Sequence, residues 1–192
     1  MITSKKQLKE VLLTDAKANS RRTIAPKFLG DEIWKFIIAM RKLDFYSYKK
    51  RRNKLCIIPW LHYKLKYKNL SLKLGFSIPY NAIGAGFGLM HYGTIVINSN
   101  AKIGKNCKIH TCVNIGATGG NPEAPQIGDN VYIGPGSQLI GNITIADGVC
   151  IGAGAVVVKS IEEPNTTWAG VPARKISDNS SRCHLSPMLF EE

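Results

Sequence analysis

The sequence has no long apolar run and no closely spaced cysteines. None of its hydrophobic stretches approaches the roughly 18 residues needed to cross a bilayer, and its start, MITSKKQLKEVLL, lacks the apolar segment of a signal peptide. The five cysteines form no CxxC or CxxxC pair, which argues against a zinc site and against a disulfide framework. We therefore predict a cytoplasmic protein whose cysteines are small buried side chains.

Acidic residues are scarce in the first part of the chain. Residues 1–80 contain 19 Lys and Arg but only 5 Asp and Glu, a balance of +14, whereas residues 81–192 contain 7 and 8, a balance of −1. A chain of 192 residues can hold one sizeable core with a modest appendage. We predict a basic α-helical region over residues 1–78, a main domain over 79–177 and a C-terminal tail over 178–192.

An aliphatic residue returns every six positions in the second half of the chain, commonly followed by glycine as in IGKN, IGDN and IGPG. This period matches neither a helix nor an alternating strand. It fits a short strand plus a tight turn, three of which close a triangular coil of about 18 residues that buries its aliphatic side chains against neighbouring coils. The aliphatic positions are Ile97, Ile103, Ile109, Ile115, Ile127, Ile133, Leu139, Ile145, Ile151 and Val157, with Asn121 as the one interruption.

The segments GLMHYGTIVINSNAKIGKNCKIHTCVNIGATGG and PQIGDNVYIGPGSQLIG, together with the later AGVPARKI, resemble the hexapeptide-repeat, left-handed β-helix acyltransferases. Within that family they are similar to serine O-acetyltransferases and to related enzymes that acetylate glycans, over about residues 76–177. The resemblance implies a mainly β fold, a left-handed parallel β-helix with a short helical N-terminal region. It also implies an acetyl-CoA-dependent O-acetyltransferase that needs no metal and works as a homotrimer with active sites between subunits.

The resemblance assigns the catalytic base to His91, which would take a proton from the acceptor hydroxyl as its oxygen attacks the acetyl thioester. An orienting aspartate commonly precedes the family's base, but Met90 stands there in this chain. His110 follows Ile109, which lies three repeats after Leu89, so we expect the two histidines on adjacent coils. His110 would then orient His91 or contact the acceptor, with a structural role and a metal site as the alternatives.

The acetyl-CoA groove is expected along the edge of the prism where IGATGG, IGPG and IGAG would stack. Glycines there let a pantetheine arm approach the backbone and bond to it. The resemblance assigns this groove to Gly116, Gly119, Gly134, Pro135, Gly152 and Ala153. Arg174 and Lys175, in VPARK, are expected to contact the nucleotide phosphates.

Two departures from the serine-specific pattern concern the acceptor. Serine-specific members carry an Arg-His pair that holds the substrate carboxylate, whereas this chain has Glu123 and Ala124, and an acid there would repel a carboxylate. The acidic residue that meets the substrate ammonium is also missing from GFSIPYN. We therefore expect a saccharide or surface-polysaccharide precursor as acceptor, with L-serine as the alternative and a non-catalytic β-helical scaffold as the other class.

The basic region predicts two amphipathic helices, over residues 31–46 with Asp31 as N-cap and over residues 55–76. One interpretation packs both helices on the end of the β-helix, with KKRRNK as a solvated turn. The other is a surface that contacts an anionic membrane at its inner face. No recognition motif accompanies the positive charge, so we expect no nucleic-acid partner.

Overall fold

The computed structural model describes residues 1–191, which form a helical part followed by a β-helix. The helical part consists of α1 (Lys5–Ala18), α2 (Glu32–Lys50) and α3 (Ile57–Leu74), with a 3₁₀ turn over Lys54–Cys56. None of the helices in the described residues is long and apolar enough to span a membrane.

Short strands turn around a three-sided column from residue 76 onward. Successive strands from β2 to β12 lie in different sheets, one of five strands (β1-β3-β6-β9-β12), one of three (β10-β7-β4) and one of six (β14-β13-β11-β8-β5-β2). All pairs are parallel except β13 with β14. This is the left-handed β-helix that the sequence predicts. The strands are β1 (Phe76–Ser77), β2 (Gly88–Leu89), β3 (Ile95–Ile97), β4 (Lys102–Ile103), β5 (Lys108–Ile109), β6 (Asn114–Gly116), β7 (Gln126–Ile127), β8 (Tyr132–Ile133), β9 (Gln138–Ile140), β10 (Thr144–Ile145), β11 (Cys150–Ile151), β12 (Val156–Val157), β13 (Thr167–Ala169) and β14 (Arg174–Ser177).

The six-residue aliphatic series forms the core of the column. All ten of its members are at most 5% exposed, and they meet in register, as Ile109 does with Ile133 and Ile133 with Ile151. Burial of each such side chain contributes roughly 1.5–3 kcal/mol. Stacked asparagines support one corner, where Asn106 donates from its side-chain amide to Asn130 at 2.9 Å and both residues have positive φ. The predicted hexapeptide core is therefore confirmed.

Residues 117–125 form a loop at one corner and do not add a side to the prism. Ile115 lies in the five-stranded sheet and pairs with Leu139, and the next strand begins at Gln126 in the three-stranded sheet. Asn121, the interruption of the series, lies in this loop, and the chain passes directly from one face to the next across it. Ile115 and Ile133 are consequently two steps apart around the prism and lie on different faces.

A buried ion pair joins the helical part to the first coil. Arg41 of α2 donates from Nε to Asp15 Oδ2 of α1 at 2.7 Å, and its Nη1 donates to the Ile83 carbonyl at 2.7 Å. Asp15 Oδ1 in turn accepts the backbone N–H groups of Gly86 and Phe87, both at 2.9 Å. These contacts set the orientation of both helices relative to the column.

The predicted helices are present but differ in detail, and the second covers Ile57–Leu74 rather than residues 55–76. Helix α2 runs to Lys50, beyond the predicted end at residue 46. Asp31 precedes α2 but caps nothing with its side chain, because its φ of 69° directs the carboxylate to Arg21 and to the Lys27 N–H instead. Helix α1 was not predicted, although Ser4 is its N-cap: the Gln7 N–H donates to Ser4 Oγ at 3.0 Å, and Gln7 Oε1 accepts the Thr3 N–H at 2.8 Å.

The C-terminal tail folds back against the six-stranded sheet and α1. It contains two 3₁₀ turns, Ser181–His184 and Pro187–Leu189. The Ser181 N–H donates to the Gly148 carbonyl at 2.9 Å, and Leu185 is 5% exposed. At its far end the Lys17 ammonium donates to the Glu191 carbonyl at 3.3 Å. The tail is thus packed along the side of the column.

Candidate active site

Four residues lie along one edge of the column, each one or two residues after a strand of the six-stranded sheet. His91 follows β2, His110 follows β5, and Gly134 and Gly152 follow β8 and β11. Leu89 pairs with Ile109, so the two histidines lie on adjacent coils with ring centroids 6.0 Å apart. The predicted proximity of His91 and His110 is confirmed.

The His91 side chain is exposed, and Met90 beside it is 39% exposed. Neither residue belongs to the core, because the aliphatic position of this repeat is Leu89. The sequence contains no Asp or Glu from residue 45 to residue 122. A carboxylate partner for His91 would therefore have to come from a distant segment.

His110 is half-buried, and its backbone N–H donates to the Ile133 carbonyl at 3.1 Å. Burial lowers the pKa of the His110 imidazole, and the Lys108 ammonium, His91 and His184 lower it further. The fold therefore favours the neutral ring at neutral pH. A neutral imidazole has one nitrogen free to accept a hydrogen bond.

Two residues that the sequence analysis missed continue this row of rings. Tyr132, paired with Lys108 across β5 and β8, lies edge-on to His110 at 5.5 Å between centroids. The imidazole of His184 stacks on Tyr132 at 4.5 Å with an interplanar angle of 23°. The repeat could have placed Tyr132 outside the column, since it immediately precedes the buried Ile133. No sequence pattern connects His184 to this edge.

The residues assigned to the acetyl-CoA groove divide between two edges. Gly134, Pro135, Gly152 and Ala153 follow the two histidines along one edge. Gly116 ends β6 in the five-stranded sheet, and Gly119 lies in the loop at the next corner. The expectation of a single edge is wrong, because the 117–125 loop shifts the repeat by one face. The role of these residues toward acetyl-CoA stays a prediction.

The glycines on the histidine edge allow the coils to stack closely. A Cβ on Gly134 would lie 2.8 Å from the Ala153 nitrogen and 2.8 Å from the Ile151 oxygen. Nothing lies within 4 Å of a Cβ on Gly119. Gly134 is thus needed by the column itself, whereas Gly119 is not.

The two predicted phosphate ligands differ in their surroundings. Lys175 Nζ lies 2.6 Å from Asp178 Oδ1 and 2.6 Å from Glu163 Oε1, and hydrogen bonds to Asp178 and then Glu163 raise its pKa. Arg174 is exposed and donates from Nη1 to the Ala173 carbonyl at 3.1 Å. The positive charge of Lys175 is already balanced by two carboxylates, and contact of either residue with the nucleotide phosphates stays a prediction.

A cavity of about 250 Å³ lies beside Met90, between α1, the loop before α2 and the first coils. Its lining includes Lys108 and the ion pair of Arg21 with Asp31, in which Nη1 lies 2.7 Å from Oδ1. Burial opposes ionisation of Asp31, but the Lys27 N–H and Arg21 together lower the pKa of the carboxyl. The cavity therefore holds charges of both signs next to the predicted base.

Glu123 and Ala124 lie away from the histidine edge of their own chain. Ala124 is 1% exposed, and the Glu123 carboxylate accepts a hydrogen bond from the Asn142 side chain at the corner of the loop. Their contribution to a site would have to be made toward another subunit.

The cysteines are all free thiols. Burial is confirmed for Cys107 and Cys150, but it is wrong for Cys112 and Cys183, which are exposed because one lies at a corner and the other in the tail. Among residues 1–191, no three His, Cys, Asp or Glu side chains gather as a metal site would require.

The comparisons with known proteins agree on one family. The family model described as bacterial transferase hexapeptide (six repeats) matches residues 124–159. Serine acetyltransferase from Escherichia coli K12 is 40% identical over 105 residues, which cover 54% of this chain and 38% of that protein. Mitochondrial serine acetyltransferase 3 of Arabidopsis thaliana is 46% identical over 94 residues, covering 48% and 24%. The chain thus matches well under half the length of these two relatives.

Solved structures cover more of the chain. The serine acetyltransferase of Brucella abortus strain S19 is 30% identical with a TM-score of 0.70, and the alignment covers 92% of this chain and 71% of that one. The soybean enzyme is 27% identical with a TM-score of 0.68, covering 88% and 69%. Since the likeness includes both the helices and the column, the chain belongs to the hexapeptide-repeat acyltransferase family and resembles its serine acetyltransferases.

Proposed function

We propose that this chain transfers an acetyl group from acetyl-CoA to a hydroxyl group, with His91 as the base. The observation that carries the proposal is the edge on which His91 and His110 are followed by Gly134 and Gly152 in successive coils. Such an edge offers an exposed imidazole beside backbone that an extended pantetheine arm can approach.

The reaction is a direct acyl transfer. The unprotonated nitrogen of His91 takes the acceptor's hydroxyl proton while the hydroxyl oxygen attacks the thioester carbonyl carbon. The C–S bond then breaks, and the sulfur leaves with the proton that His91 returns, giving CoA thiol and an acetyl ester. Neutral His110 is proposed to accept a hydrogen bond from the other nitrogen of His91, in the place that Met90 cannot fill.

L-serine is the acceptor that the comparisons support, because the relatives named above are serine acetyltransferases. They give no support to the saccharide acceptor expected from the sequence. The lining of the cavity beside Met90 includes residues of both charges, Asp31 with Arg21 and Lys108, as a site for a small zwitterion requires. We therefore propose L-serine as the first acceptor to test.

A saccharide hydroxyl is the second candidate, and one observation favours it. The carboxylate of Asp31 and the guanidinium of Arg21 bond to each other at 2.7 and 2.8 Å, so the acidic group lining the cavity is already paired with one of its basic groups. Glu123 and Ala124 also offer no positive charge to a neighbouring subunit's site.

The deciding experiment offers acetyl-CoA with L-serine, with a panel of sugars and oligosaccharides, or with no acceptor, and follows thiol release. Release that depends on L-serine supports the first candidate, and release that depends on a sugar supports the second. No acceptor-dependent release with any of them would refute acetyl transfer and favour the scaffold alternative.

We also propose that the active form is a homotrimer. Val96 on the outer side of the five-stranded sheet is 40% exposed and Val158 after β12 is 50% exposed, which leaves apolar surface beside this face for a neighbouring column. Light scattering should give three times the chain mass of 21.1 kDa; the mass of a single chain would refute the trimer.

Contact with an anionic membrane, the finer part of our expectation for the basic region, finds no support in the comparisons. One structural observation favours it. Leu61, Leu65 and Leu72 of α3 are 48%, 54% and 74% exposed, and nine Lys and Arg but no acid occur between residues 49 and 73. Co-sedimentation with anionic but not with zwitterionic vesicles would support this surface contact, and equal, negligible binding to both would refute it.

A further inference from the structure

The C-terminal tail contacts the row of rings in the candidate active site through His184. Two hydrogen bonds hold the tail there. The Ser181 hydroxyl donates to the Asn130 carbonyl, and the Ser186 hydroxyl lies 3.3 Å from that of Ser20. Ser181 and Ser186 are 1% and 5% exposed. The segment between them, which contains His184, is therefore held at both ends against the folded body.

His184 contacts two neighbours of His110 at once. Its ring stacks on Tyr132 at 4.5 Å, and its backbone carbonyl accepts a hydrogen bond from Lys108 Nζ at 2.7 Å. Lys108 and Tyr132 are paired in register on adjacent strands. One tail residue thus restrains both side chains that flank His110 on the outer face of the sheet.

A chain of ring contacts links Tyr132 to His91, the proposed base. The rings of Tyr132 and His110 meet edge to face, with centroids 5.5 Å apart and planes at 68°, and the ring centroids of His110 and His91 are 6.0 Å apart. A ring held by a stacked neighbour loses rotamer freedom before the substrate arrives, and this pre-organises the group it packs against.

We propose that His184 is a positioning residue, whose ring holds Tyr132 against His110 and thereby aligns the imidazole that orients His91. This inference rests on the proposed function, in which His91 is the base. On this proposal the C-terminal tail belongs to the active site, because it helps to set the relative orientation of the His91 and His110 rings.

The groups that face His110 are Lys108 from β5, His91 from the adjacent coil, Tyr132 from β8 and His184 from the tail. All of them are neutral or positive, and none is a carboxylate. His184 can act on His110 through packing or through its own charge, and two variants separate these routes. His184→Ala removes ring and charge, His184→Phe keeps a flat ring, and both leave the carbonyl that holds Lys108.

The test measures kcat and KM of both variants in the full chain and follows the His110 imidazole resonances by NMR titration. We expect His184→Ala to lower kcat by about tenfold at unchanged KM for acetyl-CoA, well short of the at least about 100-fold for His91→Ala, and to shift the His110 resonances. His184→Phe should restore both. His62→Ala, a histidine removed from the outer part of α3, should alter neither.

Three outcomes would overturn the inference: an unchanged kcat in His184→Ala, a kcat in His184→Phe as low as in His184→Ala, or unmoved His110 resonances in His184→Ala. The second of these outcomes, together with a lowered thermal midpoint in both variants, would show that the tail has only a structural role. Failure of the proposed function is distinguishable, because the wild-type chain would then release no thiol while the NMR contact is still measured.

Discussion

Arg41 and Asp15 form a buried ion pair in which Nε lies 2.7 Å from Oδ2, with side chains that are 4% and 0% exposed. The pair joins α2 to α1, and each partner also bonds to backbone groups of the first coil. The position of α1 and of the cavity beside Met90 therefore depends on a contact between two helices and a loop.

Replacing Arg41 with Met should destabilise the protein by about 3 kcal/mol, because Asp15 would be left as a buried charge without its partner. Urea unfolding followed by circular dichroism measures the change. Lys73→Met is the matched control, since Lys73 is 64% exposed in its pair with Glu32, and loss of such a solvent-exposed pair should change the unfolding free energy far less. Equal effects of the two substitutions would contradict the role given to the buried pair.

Replacing His91 with Ala should lower turnover at least about 100-fold while folding and acetyl-CoA binding persist, because only the proton transfer is lost. Thiol release measures turnover, and calorimetry measures the binding. His62→Ala serves as the control for removing a histidine. Full turnover by His91→Ala would exclude it as the base.

The pKa of His110 should rise when Lys108 is replaced by Met. After burial, the positive charge of Lys108 is the largest cause that lowers this pKa. NMR titration of the imidazole resonances checks this. Because the fold lowers this pKa, the unfolded chain binds more protons, and stability contributed by neutral His110 is lost as pH falls below about 6.5. If neutral His110 orients the base, the acid limb of the rate profile moves to higher pH in Lys108→Met.

Lys102→Met is the control for that experiment. Lys102 occupies the same position of the repeat as Lys108, immediately before the buried aliphatic, but it lies in the three-stranded sheet. An equal shift of the His110 pKa in both variants would mean that overall charge, and not the neighbouring ammonium, governs it.

Replacing Gly134 with Ala should destabilise the column by about 1–3 kcal/mol, because the added methyl group meets backbone atoms of the next coil at 2.8 Å. Gly119→Ala should leave the unfolding free energy unchanged, since no atom lies within 4 Å of the added carbon and its φ is not positive. Chemical unfolding compares the two. Tolerance of Gly134→Ala would refute the close stacking at this edge.

The meeting of His91 and His110 was predictable because it depends on counting. Leu89 and Ile109 are separated by three repeats plus a two-residue insertion, and parallel coils bring such positions into register. The edge expected for Gly116 was wrong, because residues 117–125 form a corner loop between Gly116 and the next strand. A periodic pattern has no means of showing whether an interruption is a strand or a corner.

No pattern in the sequence predicts the contacts of the C-terminal tail. His184 lies 52 residues after Tyr132 in sequence, yet the two rings stack. The partner of Asp31 was likewise missed, since the rule for helix starts directs attention to its own helix and the structure pairs it with Arg21.

The order of the residues by itself determined the three-sided column, its aliphatic core and the edge that carries two histidines, because a strict period permits only one way to bury every sixth side chain. Tertiary structure alone decided which groups surround those histidines. These groups are Lys108 and Tyr132 from two coils and His184 from the tail. Their contacts depend on how the tail packs against the column, and the six-residue repeat carries no information about that packing.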